Sequence, residues 1–560
     1  MARVHGGSLV ARQLKAEGIS TIFGLFGGHL GPLYDSFLEE GIQAIGARHE
    51  EAAVHMAHAW ARMTREVGVA VVTSGPGVTS AMSGLATAWA AKAPLLLLAG
   101  RWPTRQEHRG AFHEMDQVSI VRPLTSWAAT CQQTDRLPEY IATAFRHARS
   151  AGPSFLDIPS DILRSQIDLD AVSFPQPVGE SARPYADPAA IQRAVDMLAS
   201  AKQPLVIVGS GVWWARGEAE LERFLEMTQL PALTTIAARG VVPADHPLHF
   251  GAARSFALGE ADLLLVLGAR FNWALAYGQP PRFNPSARII QIDHDAREIG
   301  RNRAVNLGIQ ADLHDALQQL TEVASSRLRP QVWAGWLEDL RRRDEAARLG
   351  LADQRQSEQV PIHPARLCAE IDRFLERDAI TIVDGGDILA FARQGLDVYT
   401  PGSWLDAGSL GIIGQGVPFG VAAKLASPQR QVLVLSGDGS FGLNGFEVET
   451  AVRHGVPMVV VISNNSAWSI EVHTQMTEFG RAVATDLTPT RYDQLAEALG
   501  ALGIRVERPE EIRPALEQAF AAKRPALVDV VTDPSVLSPD SQRQLGLVPM
   551  EQTVEYQARA

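Results

Sequence analysis

The sequence predicts an α/β protein of three consecutive domains, each a parallel sheet flanked by helices. Short β-branched or leucine-rich runs recur along the chain, separated by longer stretches of helical periodicity. Continuous apolar strands spaced by helices indicate parallel sheets buried on both faces. The 560 residues also exceed a single core, and two strand-poor stretches cut them into thirds of about 170 residues, an ordinary domain size.

The strand candidates, in order, are VAVVT (Val69–Thr73), LVIVG (Leu205–Gly209), LLLVLG (Leu263–Gly268), IIQI (Ile289–Ile292), VLVL (Val432–Leu435), VVVIS (Val459–Ser463) and ALVDVV (Ala526–Val531). The first connection, Phe174–Pro188, holds four prolines in fifteen residues, which suits neither helix nor central strand. The second, around Arg341–Pro364, is charged and ends in VPIHP. These cuts give domains at 1–172, 187–340 and 362–535, with a C-terminal tail at 536–560. The first and third share a plan of glycine-rich turns after buried strands.

Composition narrows the function. Hydrophobic residues make up 46% and charged residues 20%, a globular balance. No apolar run approaches the roughly 20 residues that span a bilayer, and the N-terminus lacks an unbroken apolar segment of the secretory kind. A soluble cytoplasmic protein without a membrane partner is expected. Two cysteines, Cys131 and Cys368, make neither a disulfide framework nor a four-cysteine zinc site. A net charge of −12 argues against nucleic acid as a partner. An anionic ligand would need local neutralisation by a metal ion, helix N-termini or placed arginines.

The most informative stretch is VLVLSGDGSF followed by NGFEVETAVRHG, expected as one amphipathic helix, then PMVVVIS and Asn464-Asn465. A strand running into Gly437-Asp438-Gly439-Ser440 and a helix is a phosphate cradle, because glycines admit close backbone approach and free N–H groups face the anion. Asp438 is an anion in a place built for anions, which makes sense if a divalent cation lies between it and a diphosphate. Asn465, 27 positions later, follows the next buried strand and ends at the same sheet edge. The GDG and NN pair at this spacing resembles the motif of thiamine diphosphate enzymes. The resemblance implies that Asp438, Asn465 and the Ala467 carbonyl bind Mg²⁺, which anchors the cofactor diphosphate.

That family also needs a carboxyl group for the aminopyrimidine N1′ and an apolar wedge that bends the cofactor. ARHEEAAVHMAHAWAR (Ala47–Arg62) is similar to its RHE segment and makes Glu50 the N1′ partner; a carboxyl group in an apolar pocket is suited to exchange a proton there. His49, His55 and His58 form no metal motif and read as structural. LDAGSLGIIGQGVPFG (Leu405–Gly420) resembles the wedge turn, with Ile413 as wedge and Gly411 offering its carbonyl to the 4′-amino group. VDGGDILAFAR (Val383–Arg393) places Gly386 and Asp387 against the cofactor, and VTSGPGVTSAMSGLATAW and FLDIPSDIL extend the likeness along the chain. In this superfamily the site forms across a subunit interface. A homodimer is therefore the minimum unit expected, and a homotetramer the expected assembly.

GARFNWALAYGQPPRF (Gly268–Phe283) resembles the 2-hydroxyacyl-CoA lyases and oxalyl-CoA decarboxylases, whose middle domain holds ADP in a structural or regulatory role. Candidate ADP contacts are Gly209, Ser210, Gly211, Arg270, Asp293 and Asp312. Catalytic candidates are His29 in FGGHLGP, His113 in GAFHEMDQ and Glu471 in NNSAWSIEVH. The activity implied is cleavage or formation of a 2-hydroxyacyl-CoA, giving formyl-CoA and an aldehyde or ketone. Glu471, His29 or His113 would take the 2-hydroxyl proton. Arg393 and the tail, as a lid, are candidates for holding CoA. The alternatives are oxalyl-CoA decarboxylase and a CoA-independent carboligase or lyase of the benzaldehyde lyase or acetolactate synthase type.

Overall fold

A computed structural model describes residues 3–177 and 183–544. A short antiparallel pair, β1 (Arg3–His5) with β8 (Gln166–Asp168), closes the N-terminal domain. Between them lie β2 (Thr21–Gly24), β3 (Gln43–Gly46), β4 (Gly68–Val72), β5 (Leu95–Arg101), β6 (Trp127–Thr130) and β7 (Ser154–Pro159). These six form one parallel sheet in the order β3-β2-β4-β5-β7-β6. The middle domain holds β9 (Pro204–Val208), β10 (Ala232–Thr234), β11 (Leu263–Leu267), β12 (Arg288–Asp293) and β13 (Leu307–Gln310), parallel in the order β10-β9-β11-β12-β13. The C-terminal domain holds β14 (Ile380–Asp384), β15 (Trp404–Leu405), β16 (Val432–Gly437), β17 (Val459–Asn464), β18 (Leu502–Val506) and β19 (Ala526–Val531), in the order β15-β14-β16-β17-β19-β18. Counted from its own first strand, each six-stranded sheet runs second, first, third, fourth, sixth, fifth. The shared plan of the two outer domains is thus a shared topology.

Every predicted strand lies in these sheets, and their central strands are buried from end to end, which is why the sequence shows unbroken apolar runs there instead of alternation. Two segments add to what the sequence predicts. The charged stretch from Arg341 remains helical through Leu349, in a helix (Ala334–Leu349) whose Trp336 and Leu340 pack in the core of the middle domain. Most of its charges occupy the solvent face, while buried Asp344 accepts the Ala252 and Ala253 N–H groups, so the middle domain extends past 340. The aspartate of the GDG turn itself opens a short helix, Asp438–Asn444, and the expected amphipathic helix follows as a separate one, Glu447–Arg453.

The outer domains share a core. The helix Glu50–Thr64 lies on the helix Gly416–Ala426, burying Ala53, Ala57, Val417 and Phe419 in one cluster. Glu447 of the C-terminal domain accepts the backbone N–H groups of Arg48 (3.0 Å) and His49 (3.1 Å), which fixes the entry to that helix. The middle domain is strapped to the N-terminal one by Lys92, whose ammonium reaches Asp295 (2.7 Å) and Glu298 (2.6 Å). Among the described residues, no helix is long and apolar enough to cross a membrane.

Candidate active site

In open parallel sheets, functional groups collect beyond the carboxyl ends of the strands. Asp438 follows β16 and is 3% exposed. One carboxylate oxygen has no hydrogen-bond partner, while the N–H groups of Gly439 and Ser466 face the carboxyl group. Burial pushes its pKa up to about 6. A buried, half-satisfied carboxylate is costly unless a cation completes it. Asn465 follows β17, and its side-chain oxygen turns back to the Ala467 N–H at 3.3 Å, around a left-handed Ser466 (φ 58°). A carboxylate, an amide oxygen and a backbone carbonyl are the donor set a hard divalent ion prefers, so these residues fit Mg²⁺. A Cβ at Gly439 would lie 2.6 Å from the Trp468 ring, so the cradle requires glycine there.

The wedge loop runs from Ala407 to Ile413 after β15, with Gly408 and Gly411 left-handed (φ 61° and 76°). Asp384, at the end of β14, accepts the N–H of Gly414 (3.1 Å) and of Gly416 (2.8 Å). Burial raises this carboxyl group to about 6. Asp406 accepts the Gly408 N–H at 3.0 Å. The crest is held by the other two domains. Trp273 of the middle domain donates its indole N–H to the Ser409 carbonyl (2.7 Å). The Ala90 carbonyl of the N-terminal domain accepts from both Ser409 Oγ (3.3 Å) and Arg270 (3.0 Å). Gly386 and Asp387 open the helix after β14, yet Asp387 engages Ser541 (3.5 Å) and Ser538 of the C-terminal segment. The helix Pro539–Gln544 packs on the helices Asp387–Gly395 and Ser469–Phe479. The rest of the predicted lid lies outside the described residues.

The N-terminal sheet presents a second group of residues at its own carboxyl edge. Glu50 is half-buried in the first turn of its helix, capped by His49, and lies beside Gly77. His29 follows β2, and Ser74 follows β4. Ser74 is fully buried, with its hydroxyl 2.9 Å from His29 Nδ1 and 3.4 Å from His113 Nδ1. Phe112 stacks on the His113 ring at 3.7 Å and is 73% exposed. Burial, then the charges of His113 and Arg164, holds His29 below its ordinary pKa, which favours the neutral ring. The turn at Ser74-Gly75 approaches His113 so closely that a Cβ on Gly75 (φ 60°) would lie 2.6 Å from the His113 carbonyl oxygen. Gln117 braces this turn by accepting the Gly75 N–H (2.6 Å) and donating to Asp157 (2.9 Å). Glu471 is exposed in the first turn of the helix Ser469–Phe479, where its backbone N–H donates to the Trp468 carbonyl.

A cleft of about 1070 Å³, measured out to its open mouth, lies where the three domains meet. Its lining includes Arg62, Arg254, Arg270 and Arg393, with Trp213 and Trp273 as flat walls. Burial, then neighbouring Arg282, Arg239 and Arg393, works against the Arg254 charge, a strain that an anionic ligand would relieve. Of the six nucleotide candidates, Ser210 and Arg270 line this cleft. Gly209 and Gly211 pack against the Gly268 backbone. Asp293 receives the Asp295 N–H at 2.9 Å, and Asp312 caps the helix Leu313–Arg327 through the N–H groups of His314 and Asp315. Neither aspartate lines the cleft; local turn and cap geometry explains both. Ser74, Asp384, Glu447 and Trp273 lie within the quoted segments but were not singled out there, since their partners come from elsewhere in the fold.

Two Rossmann-like sheets of one topology, with a diphosphate cradle on one and a carboxylate-bearing helix on the other, define a thiamine-dependent enzyme. Comparison with known proteins agrees. The family models for the thiamine pyrophosphate enzyme N-terminal TPP binding domain, central domain and C-terminal TPP binding domain match residues 4–120, 191–320 and 384–530. The chain belongs to this family. It is 41% identical to the acetolactate synthase large subunit IlvG of Mycobacterium tuberculosis over 547 residues, covering 96% of this chain and 97% of that one. It is 31% identical to human 2-hydroxyacyl-CoA lyase 1 over 552 residues (95% of each chain). It is 33% identical to 2-hydroxyacyl-CoA lyase 2 of Bos taurus over 551 residues (90% and 86%).

Proposed function

We propose that this enzyme is a carbon–carbon lyase that cleaves 2-hydroxyacyl-CoA to formyl-CoA and an aldehyde or ketone, or runs the reverse condensation. Bound thiamine diphosphate supplies the nucleophilic carbon and the electron sink for breaking a bond next to a carbonyl. The observation that carries the reading is the pair of imidazoles joined by Ser74 at the edge where Glu50 also lies. Release of an aldehyde requires a base for the 2-hydroxyl proton, and the imidazole of His29 or of His113 is suited to take it. Glu50 holds the proton at the aminopyrimidine N1′. Asp438, Asn465 and the Ala467 carbonyl hold Mg²⁺ on the diphosphate, while Gly411 and Ile413 shape the cofactor.

The supporting residues extend outward from there. Arg393 is the candidate for meeting CoA phosphates, with residues from 536 onward as a lid, and Arg270 the candidate for meeting an ADP; both arginines line the three-domain cleft. The two half-sites lie on separate domains: Glu50 lies beside Gly77 of its own domain, whereas its neighbours Arg48, His49 and Glu51 make the hydrogen bonds to the C-terminal domain of the same chain, at Glu447 and Asn444. We therefore read the working unit as a homodimer at least, and a homotetramer in solution.

A second reading is an acetolactate synthase type of carboligase, favoured by the 41% identity over nearly the whole chain. One experiment separates them. Purified enzyme with thiamine diphosphate and Mg²⁺ is given formyl-CoA with a carbonyl compound, 2-hydroxyacyl-CoA alone, and in parallel pyruvate, benzaldehyde and free 2-hydroxy ketones. Turnover of the thioesters is the expected result. Turnover of pyruvate alone, with formation of acetolactate, would establish the second reading instead.

A further inference from the structure

The contact between Ser74 and the two histidines constrains their chemistry. A hydroxyl has one hydrogen. If Ser74 donates it to one Nδ1, the other Nδ1 must carry its own proton and donate to Ser74 Oγ. Neutral His29 and His113 bridged in this way hold opposite tautomers. The ring whose Nδ1 accepts carries its proton on Nε2, and the ring whose Nδ1 donates has a bare Nε2. One free edge is then an acid and the other a base. Burial of Ser74, the glycine-only turn at Gly75 and the Gln117 brace fix the hydroxyl between the rings.

We propose that Ser74 is a positioning residue that locks His29 and His113 in opposite neutral tautomers and passes one proton between them. The shorter contact, 2.9 Å, assigns His29 as the ring that accepts from the hydroxyl, and His113, at 3.4 Å, as the ring that donates to it. When His113 Nε2 takes a proton from substrate, its Nδ1 proton moves to Ser74 Oγ. The serine's own hydrogen moves to His29 Nδ1, and half-buried His29 releases its Nε2 proton to solvent. One proton enters, one leaves, and the two rings have exchanged tautomers. The relay role rests on the proposed part of these histidines in catalysis; the tautomer lock does not.

The test is nitrogen-15 solid-state NMR of histidine-labelled, substrate-free protein near pH 8, with His29→Gln and His113→Gln difference spectra assigning the rings. Wild type should show one Nδ1-protonated and one Nε2-protonated ring. Ser74→Ala should return His113 to the common Nε2-protonated form, Ser74→Thr should restore the opposed pair, and kcat in Ser74→Ala should fall about 100-fold with KM nearly unchanged. Like tautomers on both rings in wild type overturn the proposal whether or not Ser74→Ala folds, as do spectra that Ser74→Ala leaves unchanged. An opposed pair in an enzyme inactive on CoA thioesters would sink the proposed substrate and leave the lock standing.

Discussion

His58 shows how a residue's surroundings set its titration. It is 1% exposed, neither ring nitrogen has a partner, and its ring stands edge-on to Phe419 at 5.2 Å. Burial first, then the charges of Arg62 and His55, pushes its pKa well below 6.5. The unfolded chain therefore binds this proton at a pH where the folded one does not. Stability from this source is complete above pH 6.5 and declines as pH falls below it. Thermal melts should show a steeper loss between pH 6.5 and 5 in wild type than in His58→Leu, and parallel curves would refute the assignment. The sequence reading of His49, His55 and His58 as structural agrees with a helix cap and two buried rings. Asp438 and Asn465 were legible because strand, turn and spacing advertise them. Ser74 and Asp384 were not, because a serine or aspartate after a strand acquires its role only from what the fold brings opposite it.

The wedge loop is the element whose environment the sequence hid most completely. Its glycines and its place after a strand were readable, but its crest is fixed by an indole more than a hundred residues away in the chain. Trp273→Phe keeps an aromatic ring there and removes the N–H donor. Deuterium uptake at the 407–414 amides should rise in cofactor-free protein, while uptake in β16 and β17 stays as in wild type. Unchanged uptake in the loop would show that Ala90 and Asp406 suffice to hold it. Phe419 makes the complementary case. It is fully buried between the helices of the outer domains, so Phe419→Ala should cost about 3–5 kcal/mol, read as a lowered melting temperature. Element boundaries were least legible where charges cover one face of a core helix, as at Arg341–Leu349, and where a glycine interrupts a helical pattern, as at Gly445.

At the scale of the whole molecule, the three-domain organisation and the common plan of the outer domains were visible in the strand pattern. The fusion of the outer domains into one core was not, because an apolar helix face does not say which neighbour it meets. The Ala90 carbonyl, which receives one hydrogen bond from the middle domain and one from the C-terminal domain, bears on the order in which the protein is made. Domains generally fold as units and dock afterwards. The Ala90 node can close only once all three have docked, so maturation should have two clocks. After dilution from denaturant, far-ultraviolet ellipticity should return with the individual sheets, and the capacity to bind thiamine diphosphate should follow in a slower phase set by docking. Coincident recovery of the two signals would mean that each domain leaves its own folding step already shaped for the cofactor.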